Sequence, residues 1–295
     1  MTDEPTAFFA RVQPWVEGRV VLDHAWRVAV RDSRVRGWRL AAGMTYYAFL
    51  ALFPLAALVY TVVGIIGGVF PELRQRLLDS LEAALPGIAG EDIESLVAPG
   101  AATLTTIGLV SLVLLVYAGV RWVWAMRESM RTVAGVPLER DRWLLQRFRD
   151  LGVLATLGLG LLISLVASSL LISASQWLLD LLGVANRLDT LLVRSLGLAA
   201  VLLVDLLLWW VLIWRLPGLD LRPGLHLQSA ALGGLAFAGL TWAGSLIVAP
   251  SLANPVYGAF AVTIGLLIWI NLVSRLALLV TGWAATAPEP SPAPA

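Results

Sequence analysis

Two charged side chains interrupt the long apolar runs of this chain, Asp205 and Arg275, and their placement is where chemistry could reside. A lone charge at the centre of a bilayer costs about 2.5–3.5 kcal/mol on insertion scales, and pairing with an opposite charge reduces that cost. Asp205 lies ten residues before Arg215, at the cytoplasmic end of its run, and Arg275 lies ten before Ala285, at the end of its own. A helical rise of about 1.5 Å per residue puts both about 15 Å deep. The spacing therefore predicts an Asp205–Arg275 ion pair facing the interior of a helix bundle. Such a pair either clamps the helix order or lines a charged path or headgroup site. Asn271, one turn before Arg275, shares its face. Tyr46 and Tyr47 stand toward the cytoplasmic end of the first apolar run, as interface anchors or as the lining of a cavity. Pro54 sits midway along that over-long run and predicts a kink or tilt there.

Other chemistries lack their residues. A hydrolytic metal centre needs several His, Asp or Glu converging on one ion. The two histidines, His24 and His226, occupy different polar segments in no HxH or HExxH spacing. With no cysteine there is no thiolate nucleophile, thiolate zinc site or iron–sulfur cluster. Glycine-rich stretches such as Gly64–Gly68 lack the Gly-Lys-Ser/Thr of a phosphate loop. The expectation is no catalytic residue, no metal, no cofactor and no enzyme.

The elements that must position these residues are membrane helices. The chain has 295 residues, 59% hydrophobic and 14% charged, where a soluble domain carries about 25% charged residues; its mean hydropathy is +0.81. A bilayer core needs about 20 apolar residues in helix, and six runs qualify: about 40–70, 101–125, 151–179, 191–214, 225–248 and 257–285. The expected fold is all-α, a polytopic membrane helix bundle of six transmembrane helices.

Every basic residue is Arg. Seven precede the first run, seven join the second to the third and two join the fourth to the fifth, sixteen on one side; the opposite connections hold four, Arg74, Arg76, Arg187 and Arg194. Sixteen against four places the N-terminus in the cytoplasm, and an even number of spans places the C-terminus there too. The segment 1–39 has no signal-peptide pattern. Trp15, Val16, Val20, Leu22, Trp26 and Val30 alternate there with Arg19, Arg27, Arg31 and Arg34, a basic amphipathic pattern suited to anionic headgroups. The partners expected are membrane lipids, with anionic headgroups near the cytoplasmic arginines, and not nucleic acid. Between the first two runs, Leu73, Leu77, Leu81 and Leu85 predict a short outer amphipathic helix ended by Pro86-Gly87. Small residues spaced by four, at Gly152, Thr156, Gly160, Ser164 and Ser168 and again at Ala230, Gly234 and Ala238, predict seams where helices approach closely. The tail, 286–295, is rich in Pro and Ala and is expected to be disordered.

Three segments carry a resemblance. Leu40–Pro54 reads LAAGMTYYAFLALFP, Ile213–Pro217 reads IWRLP, and Tyr257-Gly258 opens a last run continuing LLIWINLVSRLALL. In this order and frame the chain resembles the YihY/virulence factor BrkB family of bacterial inner-membrane proteins, from about Arg36 to Ala285. The resemblance implies a six-helix protein of the plasma (inner) membrane. Members have been named for serum resistance and linked to envelope lipid or solute export, and some carry an old ribonuclease BN label regarded as a misannotation. The family commonly ends its last span with Gly-Ala-Glu, where this chain has Val280-Thr281-Gly282, and often has Asn after the second span, near Arg131 here.

The expected function is movement of an amphipathic or lipid-like envelope substrate without an ATPase of its own. The alternative is a non-transporting membrane scaffold that organises envelope partners. A polar-lined vestibule with Asp205 and Arg275 on its wall favours the first, and a bundle packed tightly throughout favours the second.

Overall fold

Helix formation follows from the long apolar runs themselves, and the computed structural model describes residues 20–69, 101–137, 147–156, 158–160, 187–251 and 258–287. Among the described residues there is helix and no strand. The long helices among the described residues are α1 Val20–Arg34, α2 Gly37–Val69, α3 Ala101–Ala134, α4 Arg187–Arg215, α5 Pro223–Ser251 and α6 Gly258–Ala285. Residues 147–156 are also helical, at the start of the predicted third run. Among the described residues, three helices hold stretches long and apolar enough to cross a bilayer, at Gly37–Val62, Leu104–Ala134 and Thr263–Ala285. The rest of the third run, the Leu73–Leu85 helix, the stretch before Val20 and the tail beyond 287 lie outside the described residues.

Local sequence sets the helix ends. The basic amphipathic pattern gives α1, with Asp23 in its first turn and Arg31 and Arg34 in its last, each placed to complement the helix dipole. Arg36, at φ 55°, is the left-handed residue between α1 and α2, and its carbonyl accepts from the Arg39 N–H at 2.9 Å. α3 runs nine residues past its predicted end at 125 and stops in a Schellman motif. There Val136 N–H donates to the Arg131 carbonyl at 3.0 Å and Gly135 N–H to Thr132 at 3.3 Å. Gly135 has φ 76°, which costs a side-chain-free residue nothing, and Pro137 forbids continuation. Pro223 opens α5, where its missing N–H has no helical partner to lose. α2 continues through Pro54 for 33 residues, about 50 Å at about 1.5 Å each.

Three packings organise the bundle. α2 and α3 pair antiparallel along most of their length, with Thr61 against Gly108 near one end and Tyr47 against Arg121 near the other. α4 and α5 form a second antiparallel pair. Its closest approach is at Gly234, where an added Cβ would lie 3.3 Å from the Leu206 backbone nitrogen, so the expected small-residue seam on α5 is real. The other seam is described only in part: Gly160 faces Leu208 of α4, whereas Gly152 faces open space. α6 joins the pairs, touching α1, α2, α3 and α5.

The buried core lies toward the arginine-bearing end. Ala41 and Met44 of α2, Met126, Met130 and Val133 of α3, Ile213 and Leu216 of α4, and Ala277, Leu278 and Val280 of α6 are sealed there. Farther along α2 and α3, Phe53, Val59, Leu109 and Val113 are exposed, as an apolar solvent requires.

Candidate functional site

Arg275 does not meet Asp205. Its guanidinium lies 3.5 Å from the Asp32 carboxylate of α1. The reason is helix order. Asp205 sits on α4, where its backbone packs beside Gly234 of α5, and α5 in turn packs on α6. α5 therefore stands between the two charges that the spacing matched. Among the described residues Asp205, half-buried, has no ion-pair partner.

The partner comes from a segment expected to be peripheral. α1 lies antiparallel along the last turns of α6. His24 Nε2 is 2.9 Å from the Trp283 carbonyl, with the two rings stacked at 3.7 Å, and Val28 packs under Gly282 before Asp32 reaches Arg275. Polar groups of α1 thus accompany the stretch that separates Arg275 from the end of its helix. Asp32 is 8% exposed, and one of its carboxylate oxygens, Oδ1, has no hydrogen-bond partner. Burial raises its pKa above the ordinary carboxylate value, and Arg275 pulls it back down. Gly37 leaves room for this carboxylate, because any Cβ there would collide with it. Arg275 itself stays 46% exposed at the side chain.

Beside this pair, α2 and α6 leave a groove of about 410 Å³ lined by Ala42, Thr45, Tyr46, Leu267, Ile268, Asn271 and Leu272. Its walls are mostly apolar and its floor carries a polar pair. Asn271 Nδ2 donates to Thr45 Oγ1 at 3.2 Å, and that hydroxyl donates to the Ala41 carbonyl at 2.7 Å. Tyr46 and Ile268, more than half exposed, form the open lips. Helical spacing continues the α6 wall from Asn271 and Leu272 to Arg275, and the α2 wall from Tyr46 and Ala42 to Arg39 and Trp38. Arg39 and Trp38 are exposed, with the guanidinium 5.2 Å from the indole ring centroid. The groove thus has an apolar length and a basic, aromatic mouth.

Of the residues singled out in the sequence, Asn271 and Tyr46 line this groove, and Arg275 follows one turn after Asn271 on α6. Tyr47 turns the other way: its hydroxyl accepts from Arg121 at 3.0 Å, and that guanidinium also lies 5.4 Å from the Trp124 ring centroid. Pro54 is two turns beyond Tyr46 and lines no part of the groove. Sequence reasoning missed Asp32 and a second pair. Arg127 of α3, assigned to a connection, is 9% exposed and paired with fully buried Asp150 of the 147–156 helix. Asp32 and Asp150 each stand among arginines in the sequence, and an acid kept inside a basic stretch was the available signal.

A family model described as Virulence factor BrkB matches residues 29–294. The chain belongs to the virulence factor BrkB family. The match to BrkB begins inside α1 and takes in Asp32, the groove and both arginine–aspartate pairs, while His24 precedes it. One relative is "Inner membrane protein YhjD" of Escherichia coli (strain K12). It is 25% identical over 281 residues, covering 92% of this chain and 83% of that protein. Another, "Uncharacterized protein Dda3937_02003" of Dickeya dadantii (strain 3937), is 26% identical over 273 residues, covering 90% and 83%. No solved structure matches. Family membership and the apolar helices together make this a membrane protein.

Proposed function

We propose that the chain moves an amphipathic, lipid-like molecule, using the α2–α6 groove and no ATPase or enzymatic step of its own. It does so as a multi-pass protein of a bacterial plasma (inner) membrane, with six spans and both ends in the cytoplasm. One observation carries this reading. A laterally open groove with apolar walls and a Thr45–Asn271 polar floor ends at the exposed cations Arg275 and Arg39. That gradient matches an amphipathic molecule, with chains along Leu267 and Ile268 and headgroup at the mouth. The sixteen-to-four arginine asymmetry supports the topology, and the name of the Escherichia coli relative supports the inner membrane.

The test is reconstitution in liposomes with headgroup-labelled phospholipid. Wild type accelerates flip-flop and Ala42→Trp, which fills the groove, does not. Equal rates for wild type, Ala42→Trp and empty liposomes would overturn transport and favour the scaffold. The cysteine-free chain makes topology a clean measurement. Glu91→Cys should react with an impermeant maleimide from outside, and Ser291→Cys only after the membrane is opened.

A further inference from the structure

We propose that the mouth of the α2–α6 groove is a binding site for the phosphate of a membrane lipid. Arg275 is the principal ligand, and Asp32 is the counter-ion that the phosphate displaces. The proposal rests on the reading that the groove accepts an amphipathic molecule, and it adds the headgroup chemistry and the device that keeps the empty site neutral.

Geometry carries it. Arg275 presents five N–H donors in a planar fork, and Asp32 engages it at 3.5 Å, a loose contact for a charge-assisted pair. Nearly half of the arginine side chain is exposed, and it stands one helical turn beyond Asn271 and Leu272 of the groove wall. A phosphate, with several acceptor oxygens, can take two guanidinium N–H groups at once and outcompete a single loose carboxylate contact. Asp32 is the opposite case: it is nine-tenths buried, and its Oδ1 has no partner. A carboxylate so placed is held by the one cation beside it rather than by a hydrogen-bond network, as a temporary counter-ion should be. Arg39 adds a second exposed cation, and Trp38 an aromatic surface of the kind enriched at the headgroup level. The acyl chains account for the apolar wall at Leu267, Ile268 and Leu272.

If Arg275 and Asp32 were only a clamp, removing either charge would act in the same direction. Displacement makes them opposite, so the experiment compares signs. Full-length protein in detergent is titrated with a phosphatidic acid, with phosphatidylcholine and diacylglycerol of the same chains, and with inorganic phosphate; bound lipid is counted by native mass spectrometry. Wild type should retain phosphatidic acid over diacylglycerol. Arg275→Gln should lose that preference by about tenfold or more, the scale of one charge-assisted contact of about 1.5–3 kcal/mol. Asp32→Asn should bind about three- to fivefold tighter, the scale of a partly exposed ion pair. Arg39→Gln, at an exposed position, weakens binding without touching the pair and stands in if Asp32→Asn misfolds; thermal melting identifies misfolding. Equal retention of diacylglycerol overturns the phosphate site. Equal capture of inorganic phosphate overturns the lipid source. Losses of the same sign in Arg275→Gln and Asp32→Asn, or no effect of Arg39→Gln, overturn the displacement. Binding with these signs but without flip-flop leaves this site standing and removes transport.

Discussion

Among the described residues, two arginine–aspartate pairs that join separate helices hold the arginine-bearing end of this bundle, and water reaches them very differently. Arg127 and Asp150 are 11% and 0% exposed at their side chains, while Arg275 and Asp32 are 46% and 11% exposed. Both pairs keep the carboxylate inside. Only the second leaves its cation outside, beside a groove. A sealed pair has no exchange partner, so its work is to fix the 147–156 helix against α3. An open pair can trade its anion. On the proposed reading, the two roles weighed for a single intramembrane pair, clamp or headgroup site, fall to two different pairs, neither of which contains Asp205.

The sharpest way to break this contrast is to strip each cation in turn. Arg127→Ala leaves Asp150 buried and uncompensated and should cost about 3–5 kcal/mol, seen as a large fall in the melting temperature of detergent-purified protein. Replacing both partners, Arg127→Leu with Asp150→Leu, should recover most of that loss, to within about 1 kcal/mol of wild type, because apolar pairs often substitute for sealed ion pairs. A double variant as unstable as the single one would mean that Arg127 matters for contacts other than Asp150. Arg275→Gln should lower stability less than Arg127→Ala, because the Gln amide can still donate to Asp32 and the site is partly open to solvent, while changing lipid retention strongly. A melting loss comparable to that of Arg127→Ala would erase the distinction.

The smallest effect concerns pH. Burial holds the His24 pKa below its ordinary 6.5, with the hydrogen bond to the Trp283 carbonyl and Asp23 opposing and Arg27 adding to the fall. The folded protein therefore binds this proton less readily than the unfolded chain. Stability from the His24–Trp283 stack is complete above about pH 6.5 and declines as pH falls through that value toward the lower folded pKa. Labelling of a Val28→Cys variant, measured relative to a fully exposed cysteine at the same pH because the thiolate fraction itself falls with pH, should speed up modestly between pH 8 and pH 5, and His24→Phe, which keeps the stack, should remove the change. A loosening on acidification that survives His24→Phe would overturn the assignment to His24; it could not come from Asp32, whose raised pKa makes the folded state gain stability as pH falls.

Helix ends were read less well than helices: the Gly135-Val136-Pro137 stop and Pro223 were passed over, and α3 runs nine residues beyond its predicted end at 125. The helices themselves were legible because apolar length is a local signal. The face shared by Asn271 and Arg275 was legible for the same reason, as was the exposed position of Tyr46. Asp205 shows where such reasoning ends. Depth along a helix is a count of residues, but lateral neighbours depend on the order of helices around the bundle, and no count along one helix reveals that α5 intervenes. Asp32 was hidden by its company. In a stretch holding Arg27, Arg31, Arg34 and Arg36, one acid reads as a solvated charge rather than as a residue folded inward under Gly37.

The stack of His24 on Trp283 joins residues 259 positions apart. α1 is among the first helices the ribosome releases, and α6 is the last of those described. While the intervening helices are made, the basic amphipathic α1 has no α6 to dock on and Asp32 has no Arg275. Arg31 can already reach the Val133 carbonyl of α3, but the face of α1 that carries His24, Val28 and Asp32 waits for α6. Closure of the groove mouth is therefore a late event of biogenesis, and a chain stalled before α6 leaves that face, and the Asp32 carboxylate on it, uncovered.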